Sequence, residues 1–495
     1  MILKDLMDIE DYDLKIKAIE DSQTTKKTPE DNRDYFEGEN HPISDREDRV
    51  IKNAKGQIIR REEVAKIILD YANVIVESAV AFLFGVPIDF ILKESNKDLN
   101  EQLEMLKTHL ENVKFDSQNK ELARALFVET KAAKLYFVKN PKDPEKRKLG
   151  CKVLCVKNGD IIYPFFDENG DLKAFLRKYD TKEIYGSRKV VDRAHADIYT
   201  EEKIYYATRL ATQQKYYVTE EENQFKKIPV VYYEQEKAEW ENVKTLMETH
   251  EGAFSDLFET NKYFGSPAAK VKGKIKNMPS RDEAGKLFIL EPTTVEGKQV
   301  YGDIEYMTWD QRPASLQLQF EMTEKFIYSF TNTADISFSN IMANKPGNVS
   351  GIALKMLMLA PIIKSYNKQE IFDENLKREF EVIKSIITLI DKKDYSKLKV
   401  SIVFNSILPE NTKEVVDYLV TATGGKAVMS QETAVQANTL VENKSEEIKK
   451  LQKQDEKTES ETDEFLFNKA ASFVAGQGDI TKVNEQGEDT EGSEK

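Results

Sequence analysis

The sequence predicts an α+β fold, and three observations carry that reading. Apolar residues recur at three-to-four spacing in two early stretches, residues 62–84 and 97–133. The pattern then changes to period two over residues 134–235, where β-branched and aromatic residues alternate between turn signals. Beyond residue 236, two further helical stretches bracket a short β-rich piece, and a long helical stretch follows.

Taken in order, residues 1–45 are polar and mixed. They read as an arm with a short helix at its start and with Tyr35 and Phe36 as apolar anchors. Residues 62–84 form the first strong helix. Lys66, Asp70, Asn73 and Glu77 recur at helical steps there, the pattern of an amphipathic helix packed on protein rather than a membrane span. FGVPIDF stops it, with Gly85 expected as a left-handed cap and Pro87 just beyond. Leu99, Leu103, Leu106, Leu110 and Val113 mark the next helix. Strands follow in KLYFVKN, CKVLCVKNGDIIYPFFD and LKAFLRKYD, with Asn169-Gly170 as a hairpin turn, and the β-rich run extends to residue 235.

Trp240, Val243, Leu246, Met247, His250, Phe254, Leu257 and Phe258 make one stripe of a helix at 237–262. His250 reads there as an interior or interface side chain rather than a ligand. Short strands occupy 266–306, and a helix at 314–331 carries Leu316, Phe320, Ile327 and Phe330 on one face. A long helix at 351–392 should be kinked by Pro361. KVSIVFN is a strand. LPENTKE opens a helix with Asn411 as N-cap and Glu414 in the capping-box position, and Gly424-Gly425 ends it. Ser430 caps the next helix, and from about residue 456 the acidic chain, nearly free of apolar anchors, is expected to be mostly disordered.

A chain of 495 residues is long enough for two to four domains. Its apolar fraction of 40% is low and its charged fraction of 32% high for a globular domain, as suits an elongated body or an assembled subunit. A net charge of −14 argues against tight sequence-independent DNA binding, which needs many Lys and Arg, yet it lets DNA pass without sticking. Cys151 and Cys155 read as reduced, partly buried strand thiols, and with four His in the chain no metal site is expected. The acidic opening MILKDLMDIEDYDLK has no apolar core of the signal-peptide kind.

The loop in SNIMANKPGNVSGIALKMLMLA (339–360) invites a phosphate-site reading. A phosphate loop needs GxxxxGK[ST], and here Gly351 comes one place early, with Ile352 and Ala353 where Lys and Ser/Thr should stand. A nucleotide-binding enzyme is therefore disfavoured. Ser350 or Asn348 can cap the following helix, and residues 333–349 form a long small-polar connection of the functional kind, with Lys345 as its one cation. In AKVKGKIK, Lys270, Lys272, Lys274 and Lys276 fall on one face of a strand. They form either a docking face for a partner or an edge protected by lysines. No catalytic constellation and no cofactor site is visible.

The order of these features resembles the portal proteins of tailed bacteriophages, of the siphophage type. The likeness rests on YFEGENHPI (35–43), YANVIVESAVAFLFGVPIDF (71–90), DIIYPFFDENGDLKAFLRKYD (160–180), IPVVYYE (228–234), SGIALKMLM (350–358), VFNSILPENTKE (403–414) and MSQETA (429–434). It covers about residues 35–455.

The resemblance implies a portal fold: an N-terminal arm at 1–45, an α/β wing at 46–235, a two-helix stem at 236–265 and 307–332, and a small β-containing clip at 266–306. A tunnel loop at 333–350, the long kinked helix and wing strand at 351–406, a helical crown at 407–457 and an acidic tail at 458–495 complete it. It implies a homo-oligomeric ring, commonly of twelve subunits, at one capsid vertex of the virion, assembled in the host cytoplasm. Such a ring conducts double-stranded DNA in packaging and ejection without reading sequence. Its expected partners are the terminase large subunit, a head–tail adaptor, and the major capsid and scaffolding proteins, with no membrane, no cofactor and no enzymatic activity. Asn340, Asn344, Lys345 and Asn348 are then the DNA-contacting loop residues, and the four lysines the docking face of the clip. A structural capsid or adaptor protein without a channel is the alternative.

Overall fold

In the computed structural model, the described residues run from 6 to 454, except residue 7 and segments 23–28, 94–95, 186–188, 211–212, 265–268, 273, 278–288, 296–297, 301, 307–312, 336–355, 357, 408–411, 425–427, 439–440, 442–443 and 445–446. The chain falls into two compact units, Met1–Ile407 and Leu408–Lys495. The expected cap at Asn411, the helix start at 351 and the acidic tail lie outside the described residues.

The first unit mixes helix and sheet as an α+β fold. Helices α1 (Tyr12–Asp21) and α2 (Pro29–Glu37) precede a hairpin of β1 (Arg49–Lys52) and β2 (Ile58–Glu62). Then come α3 (Tyr71–Phe84), β3 (Asp89–Leu92), α4 (Lys97–Asn112) and α5 (Phe115–Glu129). The single helix expected over 97–133 is two, because Lys114 adopts φ 55° between them. The β-rich stretch supplies β4 (Lys131–Lys139), β5 (Lys148–Leu154), β6 (Asp160–Phe166), β7 (Leu172–Tyr185), β8 (Lys189–Thr200), β9 (Lys203–Leu210), β10 (Tyr217–Glu222) and β11 (Val230–Glu234).

These strands make two antiparallel sheets, β10-β9-β8-β7-β6 and β11-β4-β5. The smaller sheet is a middle layer, which the alternation along β4 explains. Ala132 and Tyr136 face the helical core with Leu122, Leu126, Phe372 and Ile383, while Ala133 and Leu135 pack toward Phe175, Tyr199 and Ile204 of the larger sheet. The outer face of the larger sheet is covered by α1, whose Ile16 and Ile19 meet Leu176, Ile198 and Ala207. Helix α1 is therefore packed on this sheet. The Asn169-Gly170 turn joins β6 to β7, with Gly170 at φ 82° and the Asp167 carboxylate accepting from the amides of Asn169 and Asp171 at 2.9 Å.

Two expectations are corrected around α3. The helix begins at Tyr71, not 62, because the preceding segment lies extended against another helix that takes up its amide protons. Gly85 is not a left-handed cap: its φ is −58°. A Cβ there would run into the Ala81 carbonyl oxygen and lie 2.6 Å from Ile407 Cδ1, so close approach is what requires glycine. Gly85→Ala should cost about 1–3 kcal/mol of stability, the usual range for overpacking, measured by denaturant unfolding; an unchanged midpoint would contradict this packing.

Further along, α6 (Lys244–Phe264) and α7 (Pro313–Phe330) bracket short strands, and α8 (Leu359–Asp391) runs without a break. Pro361 does not kink α8. It sits in the first turn, where its missing N–H would have had no helical partner. From α8 the chain enters β18 (Val400–Val403), which pairs antiparallel with β3. The second unit holds α9 (Thr412–Thr423) and α10 (Gln431–Ala437), the latter capped as expected by Ser430, whose Oγ accepts from the Thr433 amide at 3.2 Å.

Candidate nucleic-acid interface

The two bracketing helices pack on each other through aromatic side chains. Phe320 of α7 meets His250 and Phe254 of α6 at ring-centroid distances of 5.2 and 6.0 Å. His250 is interior, as its position on the stripe implied, and its Nε2 lies 3.3 Å from the Tyr71 hydroxyl. Among the described residues, both helices also carry large apolar side chains that are left uncovered. Phe254, Phe258, Leu318, Met322, Phe326 and Phe330 are exposed, and Phe326 and Phe330 stack on each other at 5.5 Å.

An extended strap fixes the root of α6. Glu251, Ser255 and Glu259, spaced four apart on one helical face, accept the amides of Leu69, Ile67 and Ala65 at 3.0, 3.1 and 2.9 Å. Every second amide of the strap is thereby satisfied without a sheet. Burial pushes the Glu251 carboxyl up to about 7 from an ordinary 4.5. A folded-state value above the ordinary one makes a contribution that is complete below about 4.5 and lost as pH rises through about 7. Glu251→Gln, which mimics the protonated acid, should therefore gain stability relative to the parent between pH 5 and 8. Thermal unfolding at both values checks this, and a pH-independent difference would contradict it.

Between the helices, β12 (Ala269–Lys272) pairs with β17 (Asp303–Tyr306), β13 (Lys274–Asn277) with β14 (Ile289–Glu291), and β15 (Thr293–Val295) with β16 (Lys298–Val300). The lysine run is thus divided between two strands with different partners. Lys270 and Lys272 stand opposite Glu305 and Asp303, and Lys274 opposite Glu291, with an ion pair of 3.1 Å. Lys270, Lys272, Lys274 and Lys276 are all exposed.

Asn340, Asn344, Lys345 and Asn348 lie outside the described residues, but contacts join the helices that precede and follow them. Past α7, Thr331 and Thr333 are buried and their hydroxyls are 2.9 Å apart. From the first turns of α8, the Lys364 ammonium donates to the Thr331 carbonyl at 3.0 Å and pairs with Glu239 at 2.8 Å. Lys368 pairs with the same carboxylate at 2.5 Å, and the Ser365 hydroxyl donates to the Phe82 carbonyl at 2.9 Å. Burial would raise the Glu239 carboxyl, but the two lysines outweigh it and hold it below the usual carboxylate range. The end of α7 and the early turns of α8 are thus tied together.

The chief polar cluster of the core was not among the sequence expectations. Glu379 of α8 is fully buried and accepts from the Lys134 ammonium and the Tyr233 hydroxyl, each at 2.7 Å, and from the Tyr136 hydroxyl. Lys134, also fully buried, donates in addition to Asn119 Oδ1. The available signal was an acid on an apolar helical stripe, Phe372-Leu376-Glu379-Ile383, and a lysine two places before a tyrosine in an apolar strand. A second buried carboxylate, Glu129, accepts from Arg33 at 2.9 and 2.6 Å and from the amides of Val156 and Lys157. Cys151 and Cys155 are free thiols, and burial pushes them up to about 11 and about 12, so they hold no reactive thiolate. Among the described residues no helix is long and apolar enough to cross a membrane, and no cluster of three or more His, Cys, Asp or Glu could hold a metal.

No curated protein matches this chain. A chain of the solved structure described as "Neck of empty GTA particle computed with C6 symmetry" is similar at a TM-score of 0.38 and 11% identity, over 73% of this chain and 87% of that one. The family model described as "Phage portal protein, SPP1 Gp6-like" matches residues 16–461. That span takes in the layered sheets, the paired helices with their β insertion and the long helix α8, so the chain belongs to the phage portal protein family.

Proposed function

We propose that the chain forms a closed homo-oligomeric ring at one capsid vertex, through which double-stranded DNA enters and leaves the head. The observation that carries this reading, beside the family, is the row of large apolar side chains left exposed along α6 and α7. Exposed apolar surface of this kind calls for a partner. In a ring, each copy presents two different faces, and one flank of the helix pair covers the next. The helices then form the stem, and β12–β17 form the clip at its end, where Lys270, Lys272, Lys274 and Lys276 meet the terminase and later the head–tail adaptor.

The loop residues Asn340, Asn344, Lys345 and Asn348 contact backbone phosphates of the passing duplex without reading bases. Net charge of −14 keeps the channel from gripping those phosphates. The chain acts as a conduit rather than an enzyme, and hydrolysis of ATP belongs to the terminase. Antibody against residues 269–306 should label a single vertex of each capsid. Labelling at every vertex, or none, would contradict the assignment.

A further inference from the structure

The hairpin β1–β2 joins neither of the two main sheets. Its strands pair with each other and with no other strand among the described residues, and residues 49–61 are exposed apart from the half-buried Asn53. A two-stranded ribbon alone is marginal in water. This one is nevertheless well built. Asn53 Oδ1 accepts from the amides of Lys55 and Gln57 at 2.9 Å, and Gly56 takes φ 78°. Its base is tethered by Arg46, which pairs with Asp256 and donates to the Ala65 carbonyl at 3.1 Å.

Charge and pattern indicate what it meets. The hairpin carries Arg49, Lys52, Lys55, Arg60 and Arg61 against one acid, Glu62, which stands opposite Arg49 and lies 3.6 Å from Arg60, in a chain of net charge −14. The aliphatic Val50, Ile51, Ile58 and Ile59 are exposed among them. Cross-strand neighbours mix the two kinds, Val50 with Arg61 and Ile51 with Arg60, so neither face is a purely apolar one for a groove. What the ribbon offers is a basic strand edge with aliphatic contacts. Phosphates would satisfy the arginines but leave the aliphatic side chains in water.

The same chain carries a complementary edge. β10 ends the five-stranded sheet, its far side unpaired among the described residues, and its sequence YVTEEE includes no Pro or Lys to blunt it. Glu220, Glu221 and Glu222 are exposed, repel a second β10, and suit a basic strand. Glu221 and Glu222 also line a cleft of about 550 Å³, within which the buried Asp197 keeps a carboxylate oxygen without a hydrogen-bond partner.

We propose that the β1–β2 hairpin of one copy adds to the free edge of β10 in a second copy, with its basic side chains against Glu220–Glu222. This rests on the ring reading above and names one of its contacts. It can be tested on the full-length chain, mixed from unlabelled and 15N-labelled protein and coupled with a carbodiimide, which joins Lys to Glu at zero length. Peptides joining Lys52 or Lys55 of one isotope to Glu220–Glu222 of the other are the expected result. Arg49→Glu/Arg61→Glu should reduce their yield about tenfold, and adding Glu221→Lys/Glu222→Lys should restore association.

Mass photometry of the same mixture reads assembly separately. Rings that form without mixed-isotope links overturn the hairpin contact alone. Mixed links in an assembly that is not a ring support the contact and overturn the ring. Absence of any assembly overturns both. DNA retention lost on reversing the hairpin arginines, with no mixed links, would assign the hairpin to phosphates and overturn the proposal.

Discussion

Glu379→Ala should destabilise the first unit by about 3–5 kcal/mol, the range for breaking a buried ion pair by removing one partner. The loss is large because Lys134 would remain fully buried with no carboxylate, and the hydroxyls of Tyr136 and Tyr233 would lose their acceptor. Both phenols are held protonated, by burial first and by the neighbouring carboxylate. The cluster joins α8 to β4 and β11, so the effect should appear as a cooperative loss of the long helix and the middle sheet together. Chemical unfolding gives the measure. Glu379→Leu combined with Lys134→Met should recover most of the loss, since a well-packed apolar pair can replace a buried ion pair. A single variant as stable as the parent would remove the cluster from the account of the core.

Replacing residues 340–348 by a Gly/Ser linker should leave the assembly intact and reduce packaged, nuclease-resistant DNA to background. Assembly survives in this account because Thr331, Thr333, Lys364 and Ser365, which anchor the end of α7 and the early turns of α8, lie outside the exchanged segment. Packaging fails because the polar loop side chains that would meet phosphate are gone. Lys345→Ala alone removes a single cation, so its effect should be milder and greatest at low salt, as for the loss of one phosphate contact. Normal packaging by the exchanged protein would remove the loop from the DNA path.

Much of the fold was legible where one period ran unbroken. The alternation over 134–235 gave the β-rich region, which in fact begins at Lys131, and the stripe over 237–262 gave α6, which begins only at Lys244 after a single 3-10 turn at Glu241–Val243. Boundaries failed where tertiary partners decide. Residues 63–70 have a helical pattern, but Glu251, Ser255 and Glu259 capture their amides and keep them extended. Pro361 signals a break only if a helix continues before it; at the first turn it is compatible with a straight helix. Gly85 reads as a cap, yet serves the approach of Ile407, a contact 322 residues away that no local pattern reveals. The Glu379 cluster draws on α5, β4, β11 and α8, so its members signal only as isolated polar residues in apolar settings. For the interface, the loop residues lie outside the described ones, and the lysine run was legible in the sequence but not its division between two strands.

The central claim is a ring with a passage for DNA, and electron cryo-microscopy of the purified full-length protein tests it most directly. The account predicts a closed ring whose central channel is wide enough for a DNA duplex, walled by α6 and α7, with the apolar flank of each helix pair covered by the next copy. A monomer in which Phe258 and Phe330 stay exposed, or an assembly with no central passage, would contradict it.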